Sequence, residues 1–128
     1  MRVGVVAIIR KGDQLLVIRR GAAVPFPHYW APLSGKVENG ETPEAAVVRE
    51  VAEEVGLRVR AERCVWECDS ADDRYRLHWW LVAVEGGELT LDSREVAEAR
   101  WIAPDDFSTL EPVFDTDREF FREIWPTL

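Results

Sequence analysis

Apolar runs alternate with polar breaks along the chain, and the period of each run predicts an element. Val3 to Arg10 is rich in β-branched residues, Lys11-Gly12-Asp13 is a turn, and Gln14 to Arg20 is a second apolar run. The chain therefore opens with a predicted hairpin. Residues 21–29 form a loop with two prolines, leading into a short extended piece, Trp30-Ala31-Pro32-Leu33. At Thr42 the period changes to helical. Thr42 fits an N-cap, Pro43 the first helical position, and Gly56 a C-terminal stop. Ala45, Val48, Ala52 and Val55 are the predicted apolar stripe of that helix. Arg58 to Asp69 reads as a long strand and Ser70 to Asp73 as a polar turn. Arg74 to Glu85 follows as a strand whose centre, Leu77 to Val84, is nearly all apolar, as in a strand covered on both faces. Gly86-Gly87 predicts a tight turn and Glu88 to Leu91 a short return strand. Asp92 to Glu98 reads as an acidic loop, Ala99 to Ala103 as a last strand, and Pro104 to Phe107 as a helical turn. Thr116-Asp117-Arg118-Glu119 has a capping-box pattern, with Phe120, Phe121, Ile124 and Trp125 as one helical stripe behind it. Strands before and after a central helix, with a second helix at the end, predict an α/β fold with a mixed sheet between helices.

Charge collects on the central helix. Glu50, Glu53 and Glu54 fall within five residues. At about 100° per residue they spread over roughly 100° of one face. Like charges at this spacing cost a bare helix about 0.2–0.5 kcal/mol per pair, so the pattern points to a bound cation. Carboxylate oxygens suit Mg²⁺ or Mn²⁺. Arg49 is placed to pair with Glu53 one turn on, or with Glu41 before the helix.

The stretch from Gly35 to Leu57, GKVENGETPEAAVVREVAEEVGL, resembles the Nudix box, G-x5-E-x7-R-E-U-x-E-E-x-G-U with U apolar. Gly35, Glu41, Arg49, Glu50, Glu53, Glu54 and Gly56 fill the fixed positions, and Val51 and Leu57 the apolar ones. The runs GETPE and AVVRE are nearest the MutT-type branch. One departure lies upstream, where the family usually has Pro-Gly-Gly and this chain has Pro32-Leu33-Ser34-Gly35. The resemblance covers most of the chain. It implies an αβα sandwich with a central mixed sheet, one domain over residues 1–128, and metal-dependent hydrolysis of a nucleoside diphosphate linked to another group.

It also implies roles for residues. Glu50, Glu53 and Glu54, with Gly35 beside them, are the expected metal site. Glu53, Glu54 and Arg49 are the expected catalytic group, with Glu41 orienting Arg49. The general base comes either from the box or from a later loop, where Glu95 and Glu98 are candidates and Glu98 is preferred. Arg20 stands where MutT-type relatives have a nucleotide-contacting Arg, and Lys36 matches a lysine common there. Trp30 and Tyr29, just before the box, are placed to stack on a base, and His28 is expected near the pocket mouth. Tyr75 falls eighteen residues after Leu57, near the Tyr of dinucleoside polyphosphate hydrolases. Residues 58–103 lack the Pro typical of ADP-ribose hydrolases. The expected substrate is a nucleoside triphosphate, cleaved to the monophosphate and pyrophosphate. The alternatives are dinucleoside polyphosphate hydrolysis and a nucleotide-binding module without activity, which would usually lose box glutamates. An isoprenoid diphosphate isomerase would need a Cys before the box, and none lies between Gly21 and Ser34.

Composition narrows the partners. The 128 residues make one ordinary domain, and 47% hydrophobic content is enough for its own core. A net charge of −8 argues against nucleic acid or anionic membrane as a partner, so a small-molecule nucleotide is expected. No segment approaches the roughly 18 apolar residues of a membrane span. The start, MRVGVVAIIRKGD, lacks a cleavage site and reads as a strand rather than a signal peptide. Cys64 and Cys68, four apart in a predicted strand, would have Cα atoms about 13 Å apart, too far for a disulfide. Free thiols suggest a cytoplasmic protein. Among six tryptophans, Trp79, Trp80 and Trp101 are expected in the core. The family fold often forms homodimers, but no segment here specifies one.

Overall fold

A computed structural model describes residues 2–128. β1 (Arg2–Lys11) and β2 (Gln14–Arg20) form the opening hairpin, with Gly12 in the left-handed region at φ 61°. Their register holds at only two rungs, Arg10 with Leu15 and Lys11 with Gln14. Beyond these the two strands take different partners. β3 (Trp30–Ala31) pairs with β2, and β4 (Leu33–Lys36) pairs with β1. Pro32, which has no N–H to offer a ladder, stands between them. β6 (Tyr75–Gly87) runs parallel to β1, β5 (Leu57–Asp69) antiparallel to β6, and β7 (Val96–Ile102) antiparallel to β2. The result is one mixed seven-stranded sheet. β5 ends it, and its register against β6 slips at three places.

α1 (Pro43–Val55) covers one face, where Ala46, Val47, Val51 and Val55 meet Val5, Ala7, Ile9, Leu16 and Val82. On the other face the C-terminal segment begins with α2 (Asp115–Glu119) and widens into a π-helical turn at Phe120–Ile124. Phe120 stacks on the fully buried Trp79 at 4.4 Å between ring centroids, with Ile124 and Trp125 packed around them. Helices on both faces of a mixed sheet are the predicted architecture. No helix among the described residues is long and apolar enough to cross a membrane.

Several local expectations are corrected. The buried stripe of α1 is Ala46, Val47, Val51, Glu54 and Val55, while Ala45 and Ala52 face solvent. Gly86 and Gly87 are strand residues paired with Arg58 and Leu57, not a turn. A Cβ on Gly87 would meet the Gly56 carbonyl at 2.6 Å, so this Gly serves a close approach to the end of α1. Residues 88–91 form no return strand. Instead Thr90 donates to the Val55 carbonyl at 2.8 Å and Asp92 to that of Glu54 at 2.9 Å, capping the helix. β7 starts at Val96, so Glu98 is in a strand rather than a loop. α2 starts at Asp115 with Phe114 at its N-cap and no side-chain cap, so the capping box does not form. Trp80 and Trp101 pack on the core only partly buried. Cys64 and Cys68 are free, and Trp79 Nε1 donates to Cys68 Sγ at 3.3 Å.

Candidate active site

Thr42 caps α1 by accepting the Ala45 N–H at 3.1 Å, and Gly56 ends it at φ 74°. Between them, Arg49 lies at the centre of the acidic cluster. Its Nε and Nη2 grip the two oxygens of Glu41 at 2.7 and 2.9 Å. Nη1 donates to Glu50 at 2.9 Å and to Glu53 at 3.1 Å, and Nη2 also donates to the Lys36 carbonyl at 2.9 Å. The Arg49 hydrogen bonds, with a backbone N–H from Glu38, hold the Glu41 carboxyl down at about 2. The same pairing with Glu41 raises Arg49 above its ordinary value.

Glu54 behaves differently. It is only 6% exposed, and its Oε2 is buried without a hydrogen-bond partner. Burial first, and then the neighbouring Glu50 and Glu95 carboxyls, push its pKa far above the usual carboxylate range. Two glycines bring these acids together. A Cβ on Gly35 would collide with the Glu50 carboxylate, so the bare backbone of β4 is the cradle for that side chain. A Cβ on Gly21 would meet the Arg94 carbonyl at 2.7 Å, and the Gly21 N–H donates to the Glu95 carbonyl at 2.9 Å. Together with the Asp92 bond to the end of α1, this sets Glu95 against Glu54. An all-carboxylate set with a buried orphan oxygen fits a hard divalent ion such as Mg²⁺ or Mn²⁺. Among the described residues no three acids already close a cage, and Glu53 is turned out toward Arg49 with its side chain 58% exposed.

The acids open into a cleft of about 600 Å³. At one end are Arg20, Phe26, Phe114 and Asp117, and at the other Lys36, Tyr75 and the turn from Ser70 to Arg74. Phe26, Tyr29 and Phe114 form an aromatic cluster with centroids 4.8–5.6 Å apart. Arg20 is tied down by its Nε donating to the Pro25 carbonyl at 2.8 Å. Burial lowers its pKa, against the opposing charges of Glu54, Glu95 and Asp117. Burial pushes the Asp117 carboxyl up to about 7, against a hydrogen bond from Thr116 and the charge of Arg20.

A NUDIX domain family model matches residues 1–124. The chain belongs to the Nudix family. It is 33% identical over 108 residues to the NAD-capped RNA hydrolase NudC of Salmonella heidelberg strain SL476, covering 84% of this chain and 41% of NudC. This Nudix chain thus spans about two fifths of the length of the curated relatives it matches. An ADP-ribose pyrophosphatase from Streptococcus suis 89-1591 superposes with a TM-score of 0.72 at 25% identity, over 91% of this chain and 81% of that one. The MutT protein from Methanosarcina mazei Go1 shares the fold with a TM-score of 0.81 at 21% identity, over 98% and 94%.

Of the residues singled out from the sequence, the Nudix-box set Gly35, Arg49, Glu50, Glu53 and Glu54 lines the cleft together with Arg20, Lys36 and Tyr75. Trp30 and Glu98 do not. Trp30 is 7% exposed in a core cluster with Val17, Ile102, Phe107 and Leu110, and Arg100 covers its ring at 4.6 Å. Glu98 points to the side of β7 opposite Ala99 and Trp101, where Arg19 at 3.5 Å and Arg100 at 2.9 Å pair with it. His28 also stays outside the cleft, with its ring beside Arg19 at 3.5 Å. Ser34 holds regular register opposite Val6, so its place in the Pro-Gly-Gly position leaves the backbone undisturbed. The sequence reading missed Phe26, Phe114 and Asp117. Phe26 sits in a Pro-Phe-Pro run at φ 53°, a signal of a constrained loop tip, whereas nothing local marks Phe114 or Asp117.

Proposed function

We propose that this Nudix domain hydrolyses a phosphoanhydride bond in a nucleoside diphosphate derivative. The first candidate substrate is a nucleoside triphosphate, cleaved to nucleoside monophosphate and pyrophosphate. The observation that carries this reading is the meeting of Glu50, Glu54 and Glu95 around an orphaned buried oxygen. It lies in a cleft with aromatic rings at one end and cations at the other. Glu50, Glu53 and Glu54 are the residues to hold Mg²⁺ or Mn²⁺, which when bound neutralises phosphate charge and lowers the pKa of a bound water. Arg49 fixes the geometry of Glu50 and Glu53. Glu95 replaces Glu98 as the candidate to take the proton of the attacking water, because it reaches Glu54 and lines the cleft. Water adds to phosphorus, the bridging P–O bond breaks, and the leaving phosphate carries the electron pair away. Arg20 and the rings of Phe26 and Phe114 bind the nucleoside end, with the buried Asp117 carboxyl set to hydrogen-bond the base edge. The free thiols support a reducing compartment.

The test is a Mg²⁺-dependent turnover panel of nucleoside triphosphates, dinucleoside polyphosphates, NAD and ADP-ribose, with products identified. Monophosphate and pyrophosphate from a triphosphate, at the highest kcat/KM of the panel, is the expected result. No turnover of any nucleotide would make the domain a binding module. Glu95→Gln should lower kcat by about 10²–10⁴-fold while Glu98→Gln stays near wild type. The reverse order would restore Glu98 as the base.

A further inference from the structure

Arg2, outside the cleft lining but paired in register with Tyr75 at its end, has no part in the chemistry above. It begins β1 opposite Tyr75 of β6 in parallel register, and Gly4 stands opposite both Lys36 of β4 and Leu77 of β6. Residues two apart on a strand share a face. Register therefore puts Arg2, Lys36 and Tyr75 on one face at the ends of three adjacent strands. Gly4 keeps that face open, since a Cβ there would meet Leu77 Cδ2 at 2.9 Å and come within 3.7 Å of the Tyr75 ring. The charges of Arg2 and Lys36 both bear on the Tyr75 hydroxyl. Burial raises the pKa of that phenol, but its interactions with the two cations outweigh it and leave it below its ordinary value.

These two cations are unspent. Among the described residues neither Arg2 nor Lys36 has an ion-pair partner. Arg49 is engaged by four acids, and Arg20 faces Glu54, Glu95 and Asp117. In a chain of net charge −8, two free cations meeting at a neutral hydroxyl call for an anion. Their distance from the nucleoside end also matters. From β2 across the β3/β4 segment and β1 to β6 is three strand spacings, roughly 14 Å, and Lys36 and Tyr75 line the same cleft as Glu50 and Glu53.

Resting on the hydrolase reading above, we propose that Arg2, Lys36 and Tyr75 form a subsite for the terminal phosphate of the substrate, so that this cleft selects polyphosphates ending in a free phosphate. A terminal phosphate has three peripheral oxygens and close to two negative charges, matching two cations and a hydroxyl donor. A phosphate capped by a second nucleoside has two such oxygens and one charge, and gains less from all three groups. The subsite keeps the outer phosphate of the pyrophosphate product, so product release depends on it.

Calorimetric titration of the whole chain with magnesium pyrophosphate tests this without turnover. Arg2→Ala and Lys36→Ala should each weaken pyrophosphate binding by about tenfold, the scale of a charge-assisted hydrogen bond, and Tyr75→Phe by severalfold. In turnover the same variants should raise KM for a nucleoside triphosphate and leave that for a dinucleoside polyphosphate within twofold. Arg2→Gln, which keeps the length of the side chain, replaces Arg2→Ala if the latter fails to fold. Unchanged pyrophosphate affinity in the Arg2 and Lys36 variants overturns the proposal, and so does an equal rise in KM for capped and uncapped substrates. Failure of the hydrolase reading looks different: wild type binds pyrophosphate and the variants lose it, but no nucleotide is cleaved.

Discussion

Arg49 holds four acids that would otherwise repel one another, and only a planar fork reaches Glu41 with two nitrogens while serving Glu50, Glu53 and the Lys36 carbonyl. Arg49→Lys keeps the charge and loses the fork. Urea denaturation should show a loss of about 1–3 kcal/mol, with a fall in turnover because Glu50 and Glu53 lose their anchor. Asp117 makes the opposite kind of contribution. Its carboxyl sits at about 7 in the folded chain against an ordinary 3.8. The folded state therefore binds the proton more tightly than the unfolded one. The associated stability is fully present below the unfolded value and is lost as pH rises through 7. Asp117→Asn removes that loss. Denaturation of the two proteins should agree closely near pH 4 and diverge by pH 8 in favour of the variant, by at most about 4 kcal/mol. A gap that is the same at both pH values would mean that Asp117 is ionised throughout.

α1 shows what a sequence reveals of an element and what it does not. Its two ends were legible because capping is local chemistry: Thr42, Pro43 and Gly56 do what their positions require. Its expected buried face is right at Val55 and in part at Val48, but is one residue off at Ala45 and Ala52. Apolar residues stand at every position from 45 to 48 and again at 51, 52 and 55, so two stripes compete. The true stripe contains Glu54, an acid that pattern reading turns outward and that this fold buries for its site. The box glutamates were legible at fixed spacing. Glu95, a candidate only through the family resemblance, and Phe114 and Asp117, unmarked in the sequence, join them through contacts more than forty residues away, which no local pattern carries. Glycine misled for the same reason: Gly86-Gly87 signals a turn locally but meets a close approach of chain to chain here. The C-terminal stripe was read correctly, and Phe120 against Trp79 is its anchor. Phe120→Ala should cost about 3–5 kcal/mol, measured by chemical denaturation followed by tryptophan fluorescence.

Over the whole molecule, negative charge is concentrated where a cation fits. Adding Mg²⁺ to the metal-free protein should raise Tm, and the gain should be larger at pH 8.5 than at pH 6, because the ion must displace the proton that burial keeps on Glu54. Glu54→Gln should melt no lower than wild type without metal and lose most of the Mg²⁺ gain. A pH-independent gain would mean that the ion binds elsewhere. The opposite margin of the sheet has a consequence for the protein in bulk. β5 leaves thirteen residues of backbone at the border of the sheet, a length on which another copy could lay a strand. The three slips of register break the regular spacing of its free N–H and C=O groups, and Arg58, Arg60, Glu62 and Arg63 project from it into solvent. Such a border makes a poor template, and it disfavours the edge-to-edge pairing by which a flat, uncharged one would seed fibrils.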